Sequence, residues 1–400
     1  MSEHLKRNVG LGLLIAYGVG VMVGAGIYVL VGAVAGEAGI YAPIAFLLAG
    51  LVAAPTALSY GELSARIPEA AGEAAFVHKA FRSQAVAVIV GLAIVATGVV
   101  SAAAVLRGGA GYLLALVTVP EVAAIVVLAI LLTAVALYGV MESLALAAVF
   151  TIVELAGLAL VVWAGWDAPL SPDWQNATAP GFTEWPWAAI GTAAVLAFFA
   201  FIGFEDIVNM AEEVERPERN IPRAIVVSLV LTTLVYALVT WVTVRVVPMQ
   251  ALAGSESPLV LVLQTRDSAA TGAILAGIAV FAALNGVLAQ IVMASRVLFG
   301  LGRRSRALAV FHHVHPKRGT PYSATVLVGG LVIAAAMSAN VAKLAEVTSI
   351  ILLSAFVVMN GALIVLKRRE PESPFRVSMA VPVLGLVLSL GALALFLGGI

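Results

Sequence analysis

Residues 18–32 read GVGVMVGAGIYVLVG, placing Gly18, Gly20, Gly24 and Gly26 inside what hydropathy marks as one helix. Glycine in a helix interior costs about 1 kcal/mol relative to alanine. A cluster of this kind therefore serves either close helix packing or deliberate unwinding. A dinucleotide-binding glycine pattern is excluded, since the spacing differs and no strand–helix–strand unit surrounds it. Residues 194–217 decide between the two readings. They run AVLAFFAFIGFEDIVNMAEEVERP, with Gly203 in mid-span and Glu205 and Asp206 directly after it in apolar surroundings. Ionisable residues at membrane depth are costly, and they mark an interior lined by water or ligand.

The chain around these stretches is built for lipid. Of its 400 residues, 62% are hydrophobic and 11% charged, with mean hydropathy +1.08. Soluble domains carry about 25% charged residues. Apolar runs recur at about twenty residues each, enough to cross a hydrocarbon core about 30 Å thick as helix. The alternating ten-residue pattern of a membrane β-barrel is absent. Lys6 and Arg7 precede an apolar run that continues past Val31 without a cleavage signal, so the run reads as a retained first span. The chain has no cysteine, which excludes disulfides and thiolate metal sites. Its formal net charge of zero offers nothing to nucleic acid or other acidic macromolecules.

Spans are expected near 10–33, 41–63, 85–116, 122–140, 144–164, 186–211, 222–247, 270–300, 320–339, 343–366 and 379–399. Positive charge follows the even-numbered spans: Arg66, Lys79 and Arg82; Arg216, Arg219 and Arg223; Arg303, Arg304, Arg306, Lys317 and Arg318; Lys367, Arg368, Arg369 and Arg376. Only Arg245, Arg266 and Lys343 fall on the other side. The positive-inside rule then makes the N-terminus and the basic loops cytoplasmic, with the protein multi-pass in the plasma membrane (the inner membrane of a bacterium or archaeon).

The interruptions fall in spans one and six, with five spans in each half. That is the sequence pointer to a five-plus-five inverted-repeat transporter with its site near the midplane. Residues 1–165 form the expected first repeat, 166–185 an outer loop, 186–366 the second repeat, and 367–400 a cytoplasmic loop with span eleven. Unwinding frees N–H groups at the start of the second half-helix, whose positive dipole end favours a carboxylate. Carbonyls ending the first half-helix accept hydrogen bonds from an ammonium group. A zwitterionic amino acid satisfies both.

Residues 198–225, FFAFIGFEDIVNMAEEVERPERNIPRAI, resemble the sixth-span signature of the amino acid, polyamine and organocation (APC) transporter superfamily. Residues 18–32, residues 59–77 (SYGELSARIPEAAGEAAFV) and residues 294–324 (ASRVLFGLGRRSRALAVFHHVHPKRGTPYSA) are similar to its other motifs, so the resemblance covers most of 8–366. It implies a LeuT-type fold of discontinuous helices and an amino acid permease. By resemblance, the substrate lies along Met22, Val23, Gly24, Ala25, Gly26 and Ile27, and along Phe199, Ala200, Ile202 and Gly203. The amides of Ala25, Gly26 and Ile27 would take its carboxylate. The carbonyls of Met22, Phe199, Ala200 and Ile202 would take its ammonium. Phe199 corresponds to an aromatic gate, and Glu205 to an acid that links helices as the gate closes. Asp206 has no such standing in the motif and reads equally well as a partner for a polar neighbour. Most relatives have twelve spans, whereas eleven are counted here, which puts the C-terminus outside.

Residues 147–165, AAVFTIVELAGLALVVWAG, place Glu154 where several proton-coupled relatives carry a lysine. Desolvation favours the protonated form of a carboxyl in a helix interior, so Glu154 is the candidate proton carrier. Binding a cation, or pairing with Asn285, are the other readings. His312, His313 and His315 read as part of a basic loop rather than a metal site. Glu212, Glu213, Glu215, Arg216, Glu218 and Arg219 read as a solvated helix end, and Arg107 as a residue that snorkels or pairs internally. The sequon Asn176-Ala177-Thr178 carries no functional weight. No metal, cofactor or enzyme motif appears. The expected function is secondary active transport of an amino acid, with proton symport preferred over exchange or sodium coupling and a passive channel as the different-class alternative. Oligomeric state and the particular amino acid are not written in the chain.

Overall fold

A hydrocarbon layer offers no water to the backbone, so each segment within it must bond to itself, and the apolar runs form helices. The computed structural model describes residues 9–68, 72–138, 144–177, 182–211, 214–265, 269–313 and 320–397. Lys6, Arg7, Thr178, Glu212, Glu213, Arg266, His315, Lys317 and Arg318 lie outside the described residues, as does the side chain of Arg303.

The helices are α1 (Leu11–Ala25), α2 (Ile27–Ala38), α3 (Ala42–Arg66), α4 (Gly72–Phe81), α5 (Gln84–Leu114), α6 (Glu121–Tyr138), α7 (Leu144–Gly165) and α8 (Pro172–Gln175). They continue as α9 (Trp187–Phe198), α10 (Pro217–Val246), α11 (Met249–Ala253), α12 (Pro258–Gln264), α13 (Ala269–Arg304), α14 (Tyr322–Ser338), α15 (Val341–Arg369) and α16 (Ala380–Leu397). Every expected span coincides with an apolar helix or a consecutive pair. Among the described residues, eight helical stretches are long and apolar enough to cross a membrane, and Leu11–Gly24, Tyr322–Ser338 and Ala380–Leu395 are shorter apolar helices. The protein is a multi-pass, all-α membrane protein. Its outer surface agrees: Leu51, Ile89, Val127 and Ile152 are each more than 60% exposed, a display that is stable only against lipid. All six tryptophans fall at one end, at residues 163–187 and at Trp241, as an interfacial belt requires.

The structure departs from the sequence reading in four places. The first interruption, expected to free the amides of Ala25, Gly26 and Ile27, is narrower: α1 runs through Ala25, and Gly26 alone lies between α1 and α2. The second is longer, because no α-helix resumes after Gly203 before Pro217. Helix α10 starts five residues early, with Pro217 in its first turn, where a proline's missing N–H costs nothing. Short helices α4, α11 and α12 were read as loop, being too brief for a hydropathy window to register.

The most extensive packing joins α5 to α13, then α3 to α10. Helices α1 with α10, and α3 with α9, pack about equally. The start of span one touches the end of span six, where Val9 and Val214 pair and the Glu215 amide donates to the Val9 carbonyl at 3.0 Å.

At the same end a buried ion cluster ties α3, α15 and the segment before α16. Both Arg66 (3.0 Å) and Lys367 (2.7 Å) donate to the Glu62 carboxylate, which also takes the Val377 amide at 2.8 Å. Lys367 donates onward to the Val377 carbonyl, and Arg66 to that of Glu370. Removing one partner of such a cluster strands the others without compensation. Glu62→Ala is expected to cost about 3–5 kcal/mol, read as a lowered thermal midpoint or loss of monodisperse protein in detergent. Lys79→Ala breaks an exposed pair with Glu370 (3.4 Å) and is expected to leave the midpoint nearly unmoved.

Candidate functional site

The two interruptions meet backbone to backbone. At Gly26 the amides of Val29 and Leu30 return at once to its carbonyl (3.3 and 3.0 Å), so α2 restarts without a spacer. Span six leaves the α-form after Phe198, makes a 3₁₀ turn over Phe199–Phe201, bends at 202–204, and continues as a 3₁₀ segment over Glu205–Met210. Gly203 stands there at φ +122°, a conformation that side chains with a β-carbon rarely adopt. A Cβ on Gly26 would fall 2.3 Å from the Ala200 Cα, and one on Gly203 would fall 2.5 Å from the Val21 Cγ1 and 3.3 Å from the Met22 amide nitrogen. Rising numbers in span one thus face falling numbers in span six, so the last turn of α1 and Gly26 run antiparallel to the non-α stretch of span six.

An interrupted helix leaves carbonyls without intrahelical donors, and two of them converge on one side chain. The Tyr236 hydroxyl of α10 lies 2.7 Å from the Met22 carbonyl oxygen and 2.9 Å from that of Ala200, donating its hydrogen between them. Phe46 and Phe201 pack edge-on against its ring, at 5.6 and 5.3 Å between centroids. Sequence reasoning named Met22 and Ala200 but missed Tyr236. A signal was present: Tyr236 is the one phenol in the apolar stretch 230–240, VLTTLVYALVT, and a phenol buried there needs an acceptor.

The remaining residues singled out from the sequence gather here unevenly. Val23, Ile27, Phe199 and Ile202 are buried beside the interruptions, and the Phe199 carbonyl takes the Ile202 amide at 3.2 Å. The backbone of Ala25 closes α1. Glu154 of α7 reaches the first interruption from the far side: a Cβ on Gly24 would lie 3.3 Å from its Oε1 and 3.2 Å from the Ala282 carbonyl oxygen. Asn285 donates to Oε1 at 3.3 Å, while Glu154 Oε2 and Asn285 Oδ1 have no hydrogen-bond partner among the described residues. A carboxylate oxygen and an amide oxygen left without donors in one buried spot are completed by a proton or a cation. Tyr28 anchors the same helix, donating to the Glu154 carbonyl at 2.6 Å, and Tyr112 donates to the Tyr28 carbonyl at 2.7 Å.

Glu205 bonds within its own turn, its Oε2 accepting the Gly203 amide at 3.0 Å, so here it holds the bend in place. Asp206 is buried and near enough to Glu73 and Gln290 to interact with both. Arg107 pairs internally with Glu121 (2.6 Å) and the Ala336 carbonyl (2.8 Å), tying α5 to α6 and α14. His312 stacks on Phe299 at 4.5 Å, with its ring nitrogen near the Phe299 carbonyl.

Paired helix interruptions facing each other in an all-α membrane bundle define a class, the transporters that hold a small solute on unwound backbone. Residues 12–399 match the family model described as amino acid permease, and the chain belongs to that family, within the APC superfamily. It is 29% identical to the branched-chain amino acid permease of Bacillus subtilis over 93% of this chain and 83% of that protein. It is 28% identical to the vacuolar cationic amino acid transporter 4 of Arabidopsis thaliana, over 82% of this chain and 58% of that protein. It is 28% identical to the methylthioribose transporter of Bacillus subtilis, over 86% of this chain and 77% of that protein. The family and these relatives are transporters, and the chain is a transporter rather than an enzyme.

Tyr236→Phe keeps the ring and deletes the single donor shared by two buried carbonyls. The expected cost is about 1–3 kcal/mol, seen as a lowered thermal midpoint. Thr240→Val, one turn along α10 with a hydroxyl that has no partner, is expected to be neutral or stabilising. Equal effects from the two substitutions would remove Tyr236 from this role.

Proposed function

We propose that the chain carries an amino acid across the plasma membrane by alternating access between two inverted repeats, residues 1–165 and 186–366, joined by an outer loop over 166–185. Its N-terminus and basic loops are cytoplasmic, and residues 367–400 add a cytoplasmic loop and the last span. The observation that carries this is the convergence of the Met22 and Ala200 carbonyls, one from each interrupted span, on a single hydrogen-bond donor. A donor position that two carbonyls share is the receptor an ammonium group requires. The N-terminus of α2 supplies the matching end: it has no side-chain cap, so the N–H groups of Gly26 and Ile27 face a substrate carboxylate with the helix dipole behind them.

The packing pattern supports the repeat. Under a shift of five spans, the pairs three–eight, two–seven and one–six map onto themselves, and these are the two largest helix pairings plus the antiparallel meeting of the interruptions. The pairs one–seven and two–six exchange with one another, and they pack about equally. Gly26 and Ala200 are in direct contact, so a substrate enters only as the two backbones part. Phe199, fully buried beside them, is the gate that moves with span six.

Glu154 supplies the coupling in this reading. Its carboxylate lies against Gly24, in the last turn of α1 before the first interruption, so gaining or losing a proton alters the surroundings of the proposed substrate site. One observation favours a second reading, sodium coupling: two hydrogen-bonded side chains, Glu154 and Asn285, each keep an oxygen without a donor among the described residues, and the Ala282 carbonyl also lies against Gly24.

A thermal-shift screen of the twenty amino acids and common polyamines on purified protein identifies the substrate, and counterflow of that labelled substrate in proteoliposomes follows. Saturable counterflow is expected; flux without saturation or exchange would make the protein a channel. Glu154→Gln is expected to abolish uptake driven by a pH gradient while the substrate still raises the thermal midpoint. Pumping that is indifferent to pH but follows an imposed sodium gradient would move the role of Glu154 from proton to cation.

A further inference from the structure

A second group of buried carboxyls lies apart from Glu154. Glu73 on α4 and Glu205 and Asp206 in span six are 3%, 5% and 5% exposed, and the three are close enough for their charges to act on one another. Tyr60 of α3 donates to Glu73 Oε1 at 3.4 Å. Among the described residues, no lysine, arginine or histidine comes within ion-pair distance of any of the three. Helix α1 brings no charged side chain at all, and the charged residues of α10, Glu218, Arg219, Arg223 and Arg245, stay outside that distance. From α13 comes Gln290, 1% exposed, which reaches Asp206 while neither its amide nitrogen nor its amide oxygen completes a well-formed hydrogen bond. Such an amide is an unspent donor and acceptor aimed at a carboxyl.

Charge balance limits what this group can be. Three carboxylates sealed from water without a counter-charge repel one another and forgo hydration, a state that is strongly disfavoured. Among the described residues, no acid or histidine cluster is disposed to hold a metal ion. A proton neutralises such a carboxyl without assembling further ligands around it. Glu73, outside the spans, shows the tendency: burial pushes its carboxyl up to about 7. Gln290 suits the task, since its amide accepts from a protonated carboxyl and donates to an ionised one.

The group also sits where a mouth closes. The Tyr60 ring packs edge-on against Phe76 (6.5 Å), Phe204 (5.9 Å) and Phe356 (5.6 Å), an aromatic layer drawn from α3, α4, span six and α15. Tyr60 thus belongs to the layer through its ring and to the carboxyl group through its hydroxyl.

We propose that Glu73, Glu205 and Asp206 with Gln290 form a second proton-binding station, separate from Glu154, whose proton load keeps this mouth of the carrier closed. With protons bound the cluster is neutral and the aromatic layer stays dry. Losing them leaves bare negative charge in a sealed interior, which draws in water and parts the layer. The station rests on the alternating-access reading above, and is independent of which ion drives uptake.

The chain has no cysteine, so one introduced thiol reports access without background. Ala211→Cys places it in a fully buried position on the far side of Asp206 from Gly203. Its labelling by a membrane-impermeant maleimide in detergent is measured from about pH 5.5 to about pH 8.5, the range around a carboxyl held near neutrality. Each value is divided by labelling of the same sample in SDS at the same pH, which cancels the thiol's own titration. The parent is expected to rise severalfold in labelled fraction as pH rises. Adding Asp206→Asn and Glu73→Gln is expected to leave labelling low and flat. If that protein fails to fold, Gln290→Met, of similar volume, is expected to shift the midpoint of the profile. A flat parent profile, a parent slope retained in the doubly neutralised protein, or an unmoved midpoint in Gln290→Met overturns the station. Counterflow by the cysteine-bearing parent separates the two ideas. Exchange with a flat labelling profile removes the station alone, whereas no exchange of any ligand from the screen removes the carrier reading and the station with it.

Discussion

The contact between Gly26 and Ala200 constrains everything around it. Two backbones approach so closely that a single Cβ would sit inside the other chain, at 2.3 Å from a Cα. Helices with ordinary side chains hold their axes about 8–10 Å apart. Here both chains lose their regularity at the contact, and the loss frees carbonyls and amides where no water can serve them. Tyr236 is the response to that debt. Its hydroxyl takes one freed carbonyl from each chain, which fixes the distance between the two spans as well as satisfying them.

The same contact explains where charge can be tolerated. Glu154 lies against Gly24 because a glycine there leaves room for a carboxylate, with Asn285 as its one side-chain hydrogen-bond donor among the described residues. Glu205 lies against Gly203 because the bend exposes an amide that needs an acceptor. Each acid is thus placed by a glycine in an interrupted span. The charge cluster around Glu62 differs in kind: its carboxylate is fully matched by Arg66, Lys367 and a backbone amide, and it holds helices together instead of awaiting an ion. Among the described residues, buried acids divide into those with a resident counter-charge and those without one.

Spans were legible because hydropathy over some twenty residues is a strong, additive signal, and all eleven runs became helices. The interruptions were legible because glycine and carboxylate at membrane depth are both costly. Their lengths were not. Whether α1 stops at Gly24 or Gly26 depends on which residue meets Ala200, a tertiary fact that local composition does not carry. Likewise, Glu205 and Asp206 read as neighbours with one or two roles, yet one bonds its own turn and the other faces α4 and α13. Tyr236 was hidden for the opposite reason: a tyrosine in an apolar span is unremarked until the two carbonyls that need it are brought to it by the fold.

Tyr236 also sets terms for any ligand that uses the Met22 and Ala200 carbonyls. Those oxygens are already bonded, so an incoming ammonium group replaces a hydroxyl rather than filling a void, and the net gain is the difference between a charge-assisted and a neutral hydrogen bond. The displaced hydroxyl must then find another acceptor or share the same ones. Each carbonyl has two lone pairs, so sharing is chemically open. Parting the chains by a fraction of an ångström to admit the ammonium would stretch both Tyr236 bonds together, since one hydrogen serves two oxygens on opposite chains. For such a ligand, binding and separation of the two interrupted spans are mechanically one event, registered at a side chain of α10 that neither interruption contains.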